Sequence, residues 1–129
     1  MTGAPAVLRR VAVAAAAASA KKGSDLVALD VGDILSITDA FVITSGTNVR
    51  QVRTIVDEIE KAMKEQLSAP PTSVEGLDDA TWVLLDFGDI VVHVFLDETR
   101  AYYELERLWA DAPHIDWAQL VPASQSASA

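Results

Sequence analysis

Two short stretches of this sequence have residue types that could do chemistry. Ser45-Gly46 stands just before a helical pattern, and Asp86 and Asp89 flank Phe87-Gly88 between two apolar runs. Nucleotidyl-transferring enzymes bind phosphate at a Gly-Ser that opens a helix. They hold a divalent cation with closely spaced strand carboxylates, because such ions need several oxygen ligands. The spacing here defeats that chemistry: carboxylates sharing a strand face stand two residues apart, and the residue at that interval from Asp86 is Gly88. Asp86-Phe87-Gly88 also copies the magnesium-binding triplet of protein kinases, but no Gly-rich loop, paired lysine or catalytic Asp-Asn loop precedes it. It reads instead as a hairpin turn.

His93 lies within the second apolar run and His114 near the chain's end, neither with a base or nucleophile at a recognisable spacing. A lone strand histidine is more often hydrogen-bonded structure than a catalyst. The sequence has no cysteine, hence no disulfide, thiolate metal site or cysteine nucleophile, and it has no phosphate loop, zinc spacing or serine elbow. No catalytic, cofactor-binding or metal-binding residue is therefore expected, and the chain reads as non-enzymatic.

The aromatic residues point elsewhere. Trp82, Tyr102, Tyr103 and Trp109 fall close together in a chain that is otherwise poor in rings. Helical phase makes Tyr102 and Trp109 the better core candidates, whereas Trp82 at a strand edge and Tyr103 on an outward helix face are harder to bury. Trp and Tyr dominate interface hot spots because each offers a large rigid apolar face with a polar tip. The expectation is a protein-binding patch.

Charge narrows the partner. The net charge is -9, but Arg9, Arg10, Lys21 and Lys22 face no acid within residues 1–22, and the rest of the chain sets six bases against nineteen acids. A body that acidic repels phosphate backbones, whose affinity rests on Lys and Arg displacing counterions. Direct nucleic-acid binding is not expected as the main contact, and a basic protein is favoured.

The elements that must position these side chains follow from periodicity. Val7, Leu8, Val11, Ala14, Ala15 and Ala18 share one helical stripe, predicting an amphipathic helix from near Pro5 to Gly23. The stretch imitates a secretory signal, with Arg9-Arg10, an apolar run and Ala18-Ser19-Ala20. Alanine is a helix former, however, and the run is too short for a bilayer, which needs ~20 apolar residues. No membrane partner is expected. Residues 26–31 read as a largely apolar strand, buried on both faces or nearly so, and 41–45 as a second strand ending at Gly46. Thr47 or Asn48 then caps a long helix whose inward stripe is Val49, Val52, Ile55, Val56, Ile59 and Met63.

Pro70-Pro71 ends that helix and opens a loop through Gly76 to Asp78-Asp79. Residues 82–87 and 90–95 form an antiparallel hairpin, with Val83, Leu85 and Phe87 on one face and Trp82, Leu84 and Asp86 on the other. Asp97 is expected to cap a final helix that turns Tyr102, Leu105, Leu108 and Trp109 to the sheet and Tyr103, Glu104 and Arg107 away from it. The length fits a single α/β domain over residues 1–110 with a tail at 111–129. Ile115, Trp117 and Leu120 dock that tail locally, and disorder is expected from about residue 121. Apolar strand edges are compatible with a homodimer.

At these residues the chain resembles the ribosomal silencing factor family, also called the Iojap family, over residues 7–109. The marks are Leu29-Asp30-Val31, Ile37-Thr38-Asp39-Ala40-Phe41-Val42-Ile43, Ser45-Gly46-Thr47-Asn48-Val49-Arg50-Gln51-Val52, Glu75-Gly76 and Trp82. The run from Asp86 to Phe95 and Tyr103-Glu104-Leu105-Glu106-Arg107-Leu108-Trp109 complete them. Asn48 and the extended Ala/Ser tail depart from the usual pattern. The resemblance implies a mixed sheet with flanking helices, similar to the nucleotidyltransferase fold without its catalytic residues. It further implies a cytoplasmic factor that binds the large ribosomal subunit through its protein of the L-fourteen family. Bound there, it would block joining of the small subunit and repress translation when nutrients are short. Carried over by position, Trp82, Val83, Tyr103, Glu104 and Leu108 look like the partner contacts. The alternatives left standing are a large-subunit assembly factor and a nucleotidyltransferase-like enzyme.

Overall fold

The computed structural model describes residues 5–121. Helix α1, Pro5–Ala20, is followed by strand β1, Ser24–Asp30, strand β2, Ala40–Gly46, and helix α2, Val49–Leu67. Strands β3, Ser73–Glu75, β4, Trp82–Asp86, and β5, Ile90–Leu96, then lead into helices α3, Asp97–Tyr103, and α4, Leu105–Leu108, and a 3-10 turn at Trp117–Leu120. The sheet order is β1-β2-β5-β4-β3, with β2 and β5 parallel and every other neighbour antiparallel. This is the mixed α/β sheet with flanking helices that the resemblance implies.

Residue alternation along the strands builds two cores. Val42, Val83, Leu85, Ile90, Val92 and Val94 face α1 and α2, whereas Phe41, Ile43, Phe95 and the half-buried Trp82 face Leu105 of α4, Ala112 and Trp109. In α2 the inward stripe is as the periodicity predicts, and Ala62 joins it. Asn48 caps the helix: its Oδ1 accepts the Gln51 N–H at 2.8 Å, which satisfies one of the free first-turn donors. Helix α1 buries more than a stripe, from Val7 and Val11 to Ala12, Val13, Ala14, Ala15, Ala17 and Ala18, because side chains this small let neighbouring elements approach closely. Arg10 ties it to the β4–β5 turn by donating 2.9 Å hydrogen bonds to the Phe87 carbonyl and Asp89 Oδ1.

Several expectations need correction. Strand β1 lies at the sheet edge and is only partly buried, because no strand among the described residues covers its far side. That edge is instead strapped by the chain's end: Asp30 N–H donates to the Pro113 carbonyl and Ile115 N–H to the Ala28 carbonyl, both at 2.8 Å. A strand-paired dimer through this edge would have to displace the strap. The loop after Pro71 contains a strand, β3, recruited by pairing with β4. Asp97 does not cap α3; Leu96 holds the cap position without a side-chain bond. The expected single last helix breaks at Glu104, whose left-handed backbone (φ 49°) separates α3 from α4. That break leaves Tyr102 and Leu108 exposed instead of packed on the sheet. Ile115 and Trp117 dock on the core as predicted, and the expected disorder falls almost wholly at 122–129, outside the described residues.

Gly76 shows how tightly the site's strand is held. It has φ +83°, and a Cβ there would collide with the Trp82 carbonyl oxygen. Gly76→Ala should lower stability by about 2 kcal/mol or more, from positive-φ strain and the clash together. Urea denaturation of both proteins measures it, and an unchanged midpoint refutes the assignment.

Candidate partner-binding surface

The site starts from cross-strand pairing. In the β4–β5 register Trp82 stands opposite Phe95 and Leu84 opposite His93, so the rings of residues 82, 93 and 95 share one face. Trp82 stacks on the fully buried Phe95 at 4.8 Å between centroids. Its Nε1–H donates to His93 Nδ1 at 3.1 Å. Because Nδ1 accepts, the neutral imidazole is assigned its proton on Nε2, which has no hydrogen-bond partner among the described residues. His93 also meets Phe41 edge-on at 4.7 Å, and Phe41 meets Trp109 edge-on at 5.5 Å. Burial pushes the His93 pKa down to about 4, so near neutral pH the ring is an uncharged acceptor that fixes the indole.

From this base the rings climb to the surface. Tyr103 leans on Trp82 at 5.1 Å, and Tyr102 meets Tyr103 edge-on at 5.0 Å. Tyr103 is 53% exposed and Tyr102 80%. The turn at Glu104 then sends Leu105 into the core and leaves Leu108 74% exposed at the far end of the same segment. Trp82, Tyr103, Glu104 and Leu108 therefore belong to one strand start and one helical segment lying over it. Val83 does not join them. It is fully buried on the opposite sheet face, against the α1–α2 core, and has no surface to offer a partner.

Sequence reasoning missed two residues. The phase of an unbroken helix turns Tyr102 inward, whereas in the broken segment it is exposed. Arg100 carried no visible signal, because Arg100 and Glu106 are six residues apart and share a helix face only weakly. In the structure they are joined: Arg100 donates from Nε and Nη2 to Glu106 Oε2 at 3.1 and 2.9 Å. Burial raises the Glu106 pKa, but hydrogen bonds and charge attraction, chiefly from Arg100, outweigh it and leave the carboxyl below its usual range. Beside the pair opens a cleft of about 480 Å³ lined by Ser24, Asp25, Ser45, Asp97, Glu104 and Arg107 among others. The outer pair Glu104–Arg107, at 3.3 Å, is exposed and contributes little.

The residues first weighed for catalysis are engaged in structure. Asp86 Oδ1 accepts the Gly88 N–H at 2.8 Å to close the hairpin turn, Asp89 pairs with Arg10, and Ser45 Oγ accepts from Arg100 at 3.2 Å. Among the described residues no group of three or more His, Asp or Glu could hold a metal ion, and no helix is long and apolar enough to cross a membrane.

A family model described as "Ribosomal silencing factor during starvation" matches residues 4–129. The chain belongs to the ribosomal silencing factor family. It is 44% identical over 104 residues to the ribosomal silencing factor RsfS of Bacillus subtilis, covering 81% of this chain and 87% of that one. It is 40% identical over 87 residues to a mouse protein named for mitochondrial assembly of the ribosomal large subunit, covering 66% of this chain and 38% of that longer protein. A crystal structure of a protein from Chromobacterium violaceum superposes with TM-score 0.73 at 34% identity, covering 76% of this chain and 81% of that one.

The buried imidazole gives this chain a pH signature. With a folded pKa of about 4 against an ordinary 6.5, the unfolded chain binds the proton first. The stabilising preference for neutral His93 is fully present above pH 6.5 and lost as pH falls towards 4. Its share should fall by about 2 kcal/mol between pH 7 and pH 5. Urea unfolding at both pH values, for wild type and His93→Gln, isolates it: the variant should lose less stability on acidification, and equal losses refute the assignment.

Proposed function

We propose that this silencing factor is a non-enzymatic, cytoplasmic repressor of translation that binds the large ribosomal subunit through its protein of the L-fourteen family. Bound there, it stands where the small subunit must approach and prevents joining by occupying the surface, most usefully when nutrients are short. The observation that carries this reading is the exposed ring pair Tyr102–Tyr103, held on Trp82 by a buried aromatic base. Large rigid rings on a stiff support are the groups that make hot spots, because little side-chain entropy is lost when they dock. The acidic body suits a basic ribosomal protein, since opposite fields speed and orient the encounter. Trp82, Tyr103, Glu104 and Leu108 are the proposed contacts, with Tyr102 added and Val83 left to the core. Nothing in this mechanism requires a homodimer.

A second reading, action on the large subunit during its assembly, is favoured by the name of the mouse relative. The two differ in the particle bound: an assembly factor prefers precursor particles, whereas a silencing factor binds mature large subunits and keeps them from small ones.

Sucrose-gradient sedimentation with purified large subunits, before and after adding small subunits, tests the proposal. The wild-type protein should travel with mature large subunits and lower the yield of joined ribosomes. Trp82→Ala and Tyr103→Ala should each weaken that binding by ~2 kcal/mol or more. Undiminished binding by both variants, with their circular dichroism unchanged, would take the aromatic patch out of the mechanism. Binding to precursor particles alone would favour the second reading.

A further inference from the structure

We propose that Arg100 is the positioning residue of the partner-binding surface, the group that holds the broken α3–α4 segment in the shape that presents Tyr102, Tyr103 and Leu108; this rests on the reading under Proposed function. A guanidinium has five N–H donors in a fixed planar fork. In Arg100 they make five hydrogen bonds: Nε and Nη2 donate to Glu106 Oε2, Nη1 to the Ser24 carbonyl and Ser45 Oγ, and Nη2 to the Asp25 carbonyl at 2.7 Å. The side chain is 9% exposed, so it has neither a free donor nor the surface to contact a partner directly.

What it joins is the reason for the assignment. Arg100 lies on α3, Glu106 on α4, Ser24 and Asp25 on β1, and Ser45 on β2. One side chain therefore crosses the Glu104 break and pins both of its sides to the edge of the sheet. The backbone bends to meet it on two fronts. Glu104 is left-handed at φ 49° between the two helices, and Asp25 is left-handed at φ 47° where the β1–β2 register shifts between Ser24 and Val27. Non-glycine residues in that conformation persist where surrounding contacts over-determine them, and they cluster at functional sites. Two of them flank the same guanidinium. The exposed residues follow at once on the sequence: Tyr102 and Tyr103 lie within a turn of Arg100, and Leu108 within a turn of Glu106.

Without the fork the segment has several arrangements, and only a fraction present the rings correctly; the apparent Kd rises by the inverse of that fraction. The test measures equilibrium binding of labelled protein to purified large subunits, with amide exchange on the free protein, for wild type, Arg100→Gln, Glu106→Gln and Tyr103→Ala. Arg100→Gln should bind about tenfold more weakly and exchange faster across residues 97–109 but not across 49–67. Glu106→Gln, which keeps an acceptor oxygen but loses the charge, should shift both readings the same way by less. Its side chain is 39% exposed, so it carries the test if the arginine variant does not fold. Full-strength binding by both variants, beside weakened Tyr103→Ala, would overturn the positioning role and leave the functional reading intact. Exchange quickened equally in 49–67 would make Arg100 merely structural and overturn it too. A wild-type protein that does not bind large subunits would sink the functional reading and this inference with it.

Discussion

The parallel pairing of β2 with β5 is the constraint on which the rest of the structure depends. Strands joined in parallel cannot be linked by a tight turn, so the chain must leave the sheet and return. It does so through α2, and on the way back lays down β3 and β4. The seven-residue register sets Ile43 beside His93 and Ser45 beside Phe95. Those four side chains share the face opposite α1 and α2, where the rings gather and Arg100 docks. A slip of one residue would turn every one of them to the other face. The site is therefore fixed by backbone pairing before any surface residue is chosen, and β2, buried along its whole length, is the strand least able to move.

Support for the exposed rings comes in two forms with different costs. The aromatic base is largely apolar, and its stabilisation grows with the area removed from water, at roughly 25 cal/mol per Å². Its one internal polar link, indole to imidazole, works only with the imidazole neutral, which burial itself enforces. The Arg100 network is costlier. A buried charge is unfavourable unless its donors are met, and two left-handed non-glycine residues add about 1–2 kcal/mol each. Complete satisfaction of the guanidinium offsets those costs. It also makes the arrangement brittle, because removing one partner leaves a desolvated charge unpaired.

Much of this was legible in the sequence wherever one periodicity acted alone. Period two gave both faces of the β4–β5 hairpin correctly, down to Val83 and Leu85 against Trp82 and Leu84. Period 3.6 gave the α2 stripe, and cap chemistry left only Thr47 and Asn48 to choose between. Reading failed where a distant partner overrode the local pattern. Nothing in Leu105-Glu106-Arg107-Leu108 announces a new helix; the break at Glu104 is fixed by Arg100 reaching β1, some 75 residues away in sequence. An unbroken helix turns Tyr102 and Leu108 inward, and the broken one leaves both exposed. Strand β3 escaped for the same kind of reason, since three residues carry too little pattern and form a strand only because β4 offers an edge. Val83 matches a contact position of the family motif, yet its alternation with Trp82 already puts it in the core.

On the proposed reading the factor acts by occupying a surface and gains nothing from bond making, so its effectiveness rests on affinity and on geometry held before contact. Association costs translational freedom and the ordering of every mobile group at the interface. A loop bearing two tyrosines would pay the ordering cost on each encounter. Here folding has already met it, through Phe95 beneath Trp82, Trp82 beneath Tyr103 and a guanidinium bolting the segment to β1. Charge then serves a separate end. The basic residues of the first helix are not all free to oppose the acidic body, since Arg10 is engaged with Asp89 and the Phe87 carbonyl. In the proposed complex the acidic field steers a basic partner from a distance, while the rings, too short in range to steer, set how long it stays.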